Sequence, residues 1–186
     1  MKQQHHDPGG KTRIPLPADV EGSAIFGGER EQYRYTLQRT WDKSLPTALF
    51  VMMNPSTAEP RFDDPSVARC RSFAKAWGYG TLLVGNTFAY RATDQRRLLE
   101  VEDPIGPEND KYLKQMARKA SLIVFAYGKP HVKLRTRGIA VAQMLAKATE
   151  HPVHVLKLTA DGTPSHPLYL PGNLQPKVWH LHGEES

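Results

Sequence analysis

Four short apolar runs, each ending in a polar turn, constrain the fold most. They are Thr47–Met53, Thr81–Val84, Ser121–Ala126 and Val153–Leu158. Continuous apolar runs of this length read as strands buried on both faces. Between them lie stretches of helical character. Asp64-Pro65 supplies an N-cap followed by proline at the first helical position. Val67, Cys70, Phe73, Ala74 and Trp77 follow at helical spacing until Gly78. A second helix is expected over Glu108–Lys119, acidic early and basic late as the macrodipole favours, and a third over Lys133–Ala148. Strand–helix alternation of this kind predicts an α/β fold, a three-layer α/β/α arrangement around a central, mainly parallel four-stranded sheet. Tyr33–Arg39 alternates large and polar residues, as a half-exposed strand would.

The chain of 186 residues suits one domain. Residues 1–30, rich in Pro, Gly and charge, are expected to form a flexible arm, with a single α/β domain over 31–186. No run approaches the roughly 18 apolar residues of a membrane span, and the N-terminal stretch has no apolar signal core. A cytoplasmic protein, without a membrane partner and monomeric, is the expectation. The single cysteine, Cys70, excludes an internal disulfide and a cysteine-only metal or iron–sulfur site. The histidines are dispersed, so neither a metal nor another cofactor is expected.

Net charge is +6, and residues 1–30 hold four basic and four acidic groups, so the excess belongs to residues 31–186. Lys111–Lys147 carries nine Lys/Arg and no Asp or Glu. Such a one-sided run is either a phosphate footprint, with Lys129, Lys133, Arg135 and Arg137 joined by Arg91, or a solvated basic surface.

In open parallel sheets the ligand crevice lies outside the carboxyl ends of the strands. This gathers Asn54–Thr57, Asn86–Arg91, Tyr127–Arg137 and Ser165–Leu170 on one rim. Asn54, Ser56 and Thr57 offer an amide and two hydroxyls able to hold a water or a polar ligand, though Asn-Pro-Ser is also an ordinary turn. Asn86 has the donors and acceptor to read the edge of a base, or it caps the following loop. Phe88 and Tyr90 are either stacking platforms or core. His166, held extended by Pro167, can stabilise negative charge or relay a proton. No phosphate-cradling glycine loop or nucleophile elbow occurs.

The motifs Phe50–Ala58, Trp77–Gly80, Asn86–Thr93, Asp103–Gly106 and His166–Leu170 together resemble DUF1643, a bacterial and phage family catalogued as a domain of unknown function. The resemblance spans residues 33–179. A more distant likeness is to the uracil-DNA glycosylase superfamily. There the loop after the first core strand positions the attacking water, and its mismatch-specific branch carries Asn-Pro, matched by Asn54-Pro55. A second strand ending in a uracil-reading Asn resembles Leu82–Asn86. A third ending near Gly resembles Ile123–Lys129, and a late His-Pro-Ser loop resembles His166-Pro167. The sequence departs from that pattern in lacking Gln-Asp-Pro-Tyr, in carrying Leu168 where Ser is usual, and in lacking the cluster cysteines. The likeness implies a base-excising N-glycosidase acting on a damaged or modified base in DNA. Catalysis would fall to Asn54 and His166, base binding to Asn86, Phe88, Tyr90, Ser56 and Thr57. The alternatives are a non-catalytic nucleic-acid or nucleotide binding protein, or a hydrolase of free modified nucleotides.

Overall fold

The computed structural model describes residues 12–181. In chain order the strands and α-helices are β1 (Ile14–Pro15), β2 (Glu21–Gly27), β3 (Tyr33–Thr40), β4 (Thr47–Met52), β5 (Phe62–Asp63), α1 (Pro65–Ala76), β6 (Thr81–Asn86), α2 (Asn109–Lys119), β7 (Leu122–Phe125), α3 (Arg135–Thr149), β8 (His154–Val155) and β9 (Lys177–Val178). Among the described residues no helix is long and apolar enough to cross a membrane.

The apolar runs form β4, β6, β7 and β8, and these pair in parallel. The sheet is nevertheless mixed and seven-stranded, in the order β2-β3-β6-β4-β7-β8-β9, rather than four-stranded. Antiparallel β3 covers the free edge of β6, β2 pairs antiparallel with β3, and β9 closes the other edge on β8. An open edge of unpaired N–H and C=O groups is a liability, and added antiparallel strands move it outward.

The expected arm over 1–30 is corrected by the same pairing. Ile14–Pro15 bridges Phe62–Asp63, and Glu21–Gly27 is a full sheet strand. Its side chains are mostly exposed, so β2 owes its conformation to the ladder with β3 rather than to burial. Residues 1–11 lie outside the described residues. The fourth apolar run also shortens. Only His154–Val155 stays in the ladder, and Leu158 instead bridges Pro164 in a turn.

Alternation along β4 assigns the layers. Ala48, Phe50 and Met52 face α1 through Val67, Cys70, Phe73 and Ala74. Leu49 and Val51 face α2 and α3 through Leu113, Met116, Val141 and Leu145. Each large apolar side chain buried this way contributes about 1.5–3 kcal/mol. Helix α1 starts as expected: Asp64 Oδ1 accepts from Val67 N at 2.9 Å and Pro65 occupies the first turn. Gly78, with φ +84°, lets the chain turn off the helix end.

β4 lies at the switch point of the sheet. The chain leaves it to build β6 on one side and later β7 on the other. Loops from neighbouring strands diverge there, which opens a crevice at their carboxyl ends.

Candidate functional site

The loops at that crevice are tied together by backbone bonds. Thr87 N donates to Met52 O at 2.8 Å, Phe88 N to Met53 O at 2.9 Å, and Ala92 N to Pro55 O at 2.9 Å. The loop after β4 is fixed from below by two buried arginines of β3. Arg34 Nη1 donates to Ala58 O at 2.8 Å. Arg39 donates to Glu59 O and Phe62 O, and forms an ion pair with Asp63 at 2.8 Å. Arg34 and Arg39 correct the half-exposed reading of β3, since both polar positions are buried.

Above this frame lies a cavity of about 400 Å³, within the usual size range of small-ligand sites. Asn54, Ser56, Asn86, Lys129 and His166, scattered over four loops, all line it. The other expected site residues do not. Thr57 is fully buried beneath the loop. Phe88 packs with Leu98 and Leu134 in a small core cluster. Tyr90 sets its ring edge-on to Tyr33 at 6.0 Å. Phe88 and Tyr90 are drawn toward packing because Leu98 and Ile105 of the following segment pack in the same cluster.

The expected phosphate footprint loses Arg91 and Arg137 to internal partners. Arg91 is buried, pairs with Glu59 at 3.3 Å, donates to Glu31 O and lies over the Phe26 ring; burial lowers its pKa, against the pull of Glu59. Arg137 is spent on Thr87 O at 2.9 Å and on Asp110. Lys133 and Arg135 are exposed outside the cavity wall. Of the five expected phosphate ligands, Lys129 alone lines the cavity.

In their place the fold brings Arg34, Asp64, Ser66, Gln95, Tyr127 and Tyr169 to the wall. Arg34 is held at a pKa of about 10, chiefly by burial, with the Asp64 carboxylate pulling the other way. Asp64 is buried at the N-terminus of α1. One oxygen caps the helix, and no hydrogen bond reaches the other among the described residues. The adjacency Asp63-Asp64-Pro65 was the signal: the N-cap that starts the helix after β4 lines the same cavity as the Asn54-Pro55 loop.

The Asn54 amide is oriented by its partners. Asn54 Nδ2 donates to Ala92 O at 2.7 Å and to Pro55 O at 3.2 Å, so its oxygen remains to accept. Ser56 Oγ is buried with no hydrogen-bond partner among the described residues. A hydroxyl so placed in a polar wall suits a bound water or ligand.

Leu168 N donates to His166 Nδ1 at 3.3 Å, and Nε2 lies 3.4 Å from Ser66 Oγ. An accepting Nδ1 favours the neutral tautomer with its proton on Nε2, which can donate outward. Gly128, at φ +72°, passes so close that a Cβ there would sit 3.2 Å from His166 Cβ. Tyr169 lies 5.8 Å from the His166 ring and is 85% exposed, a flat surface at the cavity mouth. Among the described residues no three His, Cys, Asp or Glu converge as a metal site would require.

A family model described as a protein of unknown function, DUF1643, matches residues 34–168. No curated protein and no solved structure matches the chain.

Proposed function

We propose, for a chain that belongs to the DUF1643 family, that the cavity binds a nucleoside unit and hydrolyses its N-glycosidic bond, with a flipped or single-stranded DNA nucleotide as substrate. The observation that carries this reading is the meeting of Asn54, Asp64, Asn86 and His166 in one cavity of about 400 Å³. The four parallel strands β6-β4-β7-β8 with helices on both faces are in keeping with the glycosylase-like arrangement suggested by the sequence.

In the dissociative course of such a reaction the C1′–N bond breaks with its electron pair leaving on the base. His166 Nε2–H donates to that developing anion, a contact worth about 2–4 kcal/mol by comparison with oxyanion donors. The sugar becomes cationic, and the Asp64 carboxylate stabilises that charge. Water held by Asn54 Oδ1 and Ser56 Oγ bonds to C1′ while Asp64 takes its proton. The base then acquires a proton and departs, leaving an abasic sugar. Asn86 meets the base edge, and Tyr169 replaces Phe88 and Tyr90 as the stacking surface. A damaged base is the easier substrate because flipping it out of a duplex costs less.

One observation favours a second reading, in which the substrate is a free nucleotide. Only Lys129 among the expected phosphate ligands faces the cavity, which suits one phosphate better than a polynucleotide track.

The test offers single- and double-stranded oligonucleotides bearing uracil or modified pyrimidines, and the matching free nucleotides, and measures abasic sites and released base. Release from oligonucleotides that falls at least tenfold in His166→Ala and in Asn54→Ala supports the first reading. Release from free nucleotides alone supports the second. Folded protein that binds DNA but frees no base from any of them sinks both.

A further inference from the structure

We infer that Arg69, which lies outside the cavity wall, is a positioning residue for His166: its guanidinium pins the turn that carries His166 to α1, the helix capped by Asp64. This role rests on the nucleoside reading of the cavity, in which His166 serves the departing base and Asp64 the sugar and the water.

Ser66, Arg69, Phe73 and Trp77 recur at helical spacing and so share one stripe of α1 and its C-cap. Ser66 Oγ lies 3.4 Å from His166 Nε2. Arg69 Nε donates to Pro167 O at 3.4 Å, and its Nη2 donates to Leu170 O. Phe73, 2% exposed, underlies the guanidinium, its ring centroid 4.9 Å from Arg69 Cζ. Trp77 Nε1 donates to Leu174 O at 3.0 Å.

The two carbonyls that Arg69 takes flank the short turn Pro167–Tyr169, for which His166 is the N-cap. Before this turn the chain is tied to other loops, through Ser165 N to Lys157 O at 2.8 Å and Gly128 N to Pro164 O at 3.0 Å. Beyond it, Trp77 holds Leu174. Arg69 holds the stretch in between, where His166 sits. A planar fork with donors at fixed spacing sets both the position and the tilt of the turn, which a lysine ammonium on a flexible stem does not. Stacking on a core ring fixes the fork in its turn. Asp64 caps the same helix, so the carboxylate and the histidine are referred to one rigid rod. A misplacement of about 1 Å caused by a residue away from the chemistry costs about 10²-fold in rate.

The test is a double-mutant cycle on base release from a uracil- or modified-pyrimidine oligonucleotide. Single turnovers at saturating protein keep weaker binding through Tyr169, on the same turn, out of the rate. Arg69→Ala should slow release by about 10²-fold in the wild-type background. In His166→Ala it should slow release far less, because the ring through which it acts is gone. Arg69→Lys should keep the urea midpoint near wild type and retain only part of the rate; it carries the test should Arg69→Ala not fold. Losses that multiply across the cycle, or wild-type release in Arg69→Lys, overturn the assignment. A second readout needs no turnover: the His166 ring resonances of protein labelled with ¹⁵N-histidine should shift in both Arg69 variants. Unchanged resonances overturn the assignment whether or not base is released. Absence of release from every oligonucleotide and free nucleotide overturns the nucleoside reading, and the resonances then still decide whether Arg69 holds the ring.

Discussion

Replacing Asp63 by Asn should remove a large part of the stability of the domain. Asp63 is fully buried, and each carboxylate oxygen takes one guanidinium: Arg39 Nε at 2.8 Å and Arg71 Nε at 3.0 Å. Arg39 is itself 0% exposed. In the Asn variant the NH₂ group faces one arginine donor against donor, and Arg39 keeps a buried charge without its partner. Breaking a buried pair from one side costs about 3–5 kcal/mol, against roughly 5–15 kcal/mol for a whole domain. Arg39 also satisfies the carbonyls of Gln38, Glu59 and Phe62, so the guanidinium cannot swing away to water without leaving those unpaired. With a urea m-value of about 2 kcal/mol/M, the midpoint should fall by about 1.5–2.5 M. The loop from Asn54 to Asp63 should loosen with it, because Arg39 and Arg34 are what anchor that loop to β3. Lys43→Ala removes the exposed pair with Glu21 at 2.9 Å. Exposed pairs are worth about 0–1 kcal/mol, so it serves as the control. A midpoint within about 0.5 M of wild type for Asp63→Asn would refute the reasoning, since it corresponds to only about 1 kcal/mol.

Further outcomes follow from the cavity wall. Asp64→Asn keeps the helix cap, since Asn caps as well as Asp, and should lower the melting temperature only by the loss of the carboxylate that offsets the buried Arg34 charge. Base release should nonetheless fall about 10²–10⁴-fold, as expected for loss of a general base; parallel melting and abasic-site assays separate the two roles. Gly138→Ala places a Cβ 2.3 Å from Tyr127 Cζ. Overpacking of about 1–3 kcal/mol should outweigh or cancel the roughly 1 kcal/mol gain in helix propensity, and nucleoside affinity should drop as the ring is pushed into the cavity. A urea midpoint raised by the change would contradict that close approach. Burial lifts the Tyr127 phenol to about 12, with Asp161 adding to the shift. Between its ordinary value near 10 and about 12, the folded protein keeps a proton that the unfolded chain has lost. Stability present below pH 10 is therefore lost as pH rises toward 12, and Tyr127→Phe should flatten that decline in urea midpoints measured across the window.

Much of the scaffold was legible because its signals are local. β4, β6 and β7 are continuous apolar runs, Asp64-Pro65 is a helix start, and both need only the period of the chain and the chemistry of a few neighbours. Parallel pairing then followed from the helices between the strands, and the crevice from the parallel pairing. By that route Asn54, Asn86 and His166 were placed on one rim before any contact was known. Local signals could not show β2, whose mostly exposed side chains carry no pattern and whose order comes from ladder partners 6 residues away at Gly27–Tyr33 and 19 away at Glu21–Thr40.

What only the tertiary structure decided was the fate of charge and of aromatic rings. Arg34, Arg39, Arg91 and Arg137 look alike in sequence as basic residues near loops, yet each is consumed by carbonyls, carboxylates or a ring contributed from elsewhere in the chain. Phe88 faces Leu98 and Leu134 instead of a ligand because a distant segment closes over it. Asp64 gained a place in the cavity wall for the converse reason: its cap uses one oxygen, and the fold leaves the other at the crevice. Apolar periodicity is written along the chain, whereas the partner that neutralises a buried charge is set by which loops meet, and that is a property of the assembled sheet.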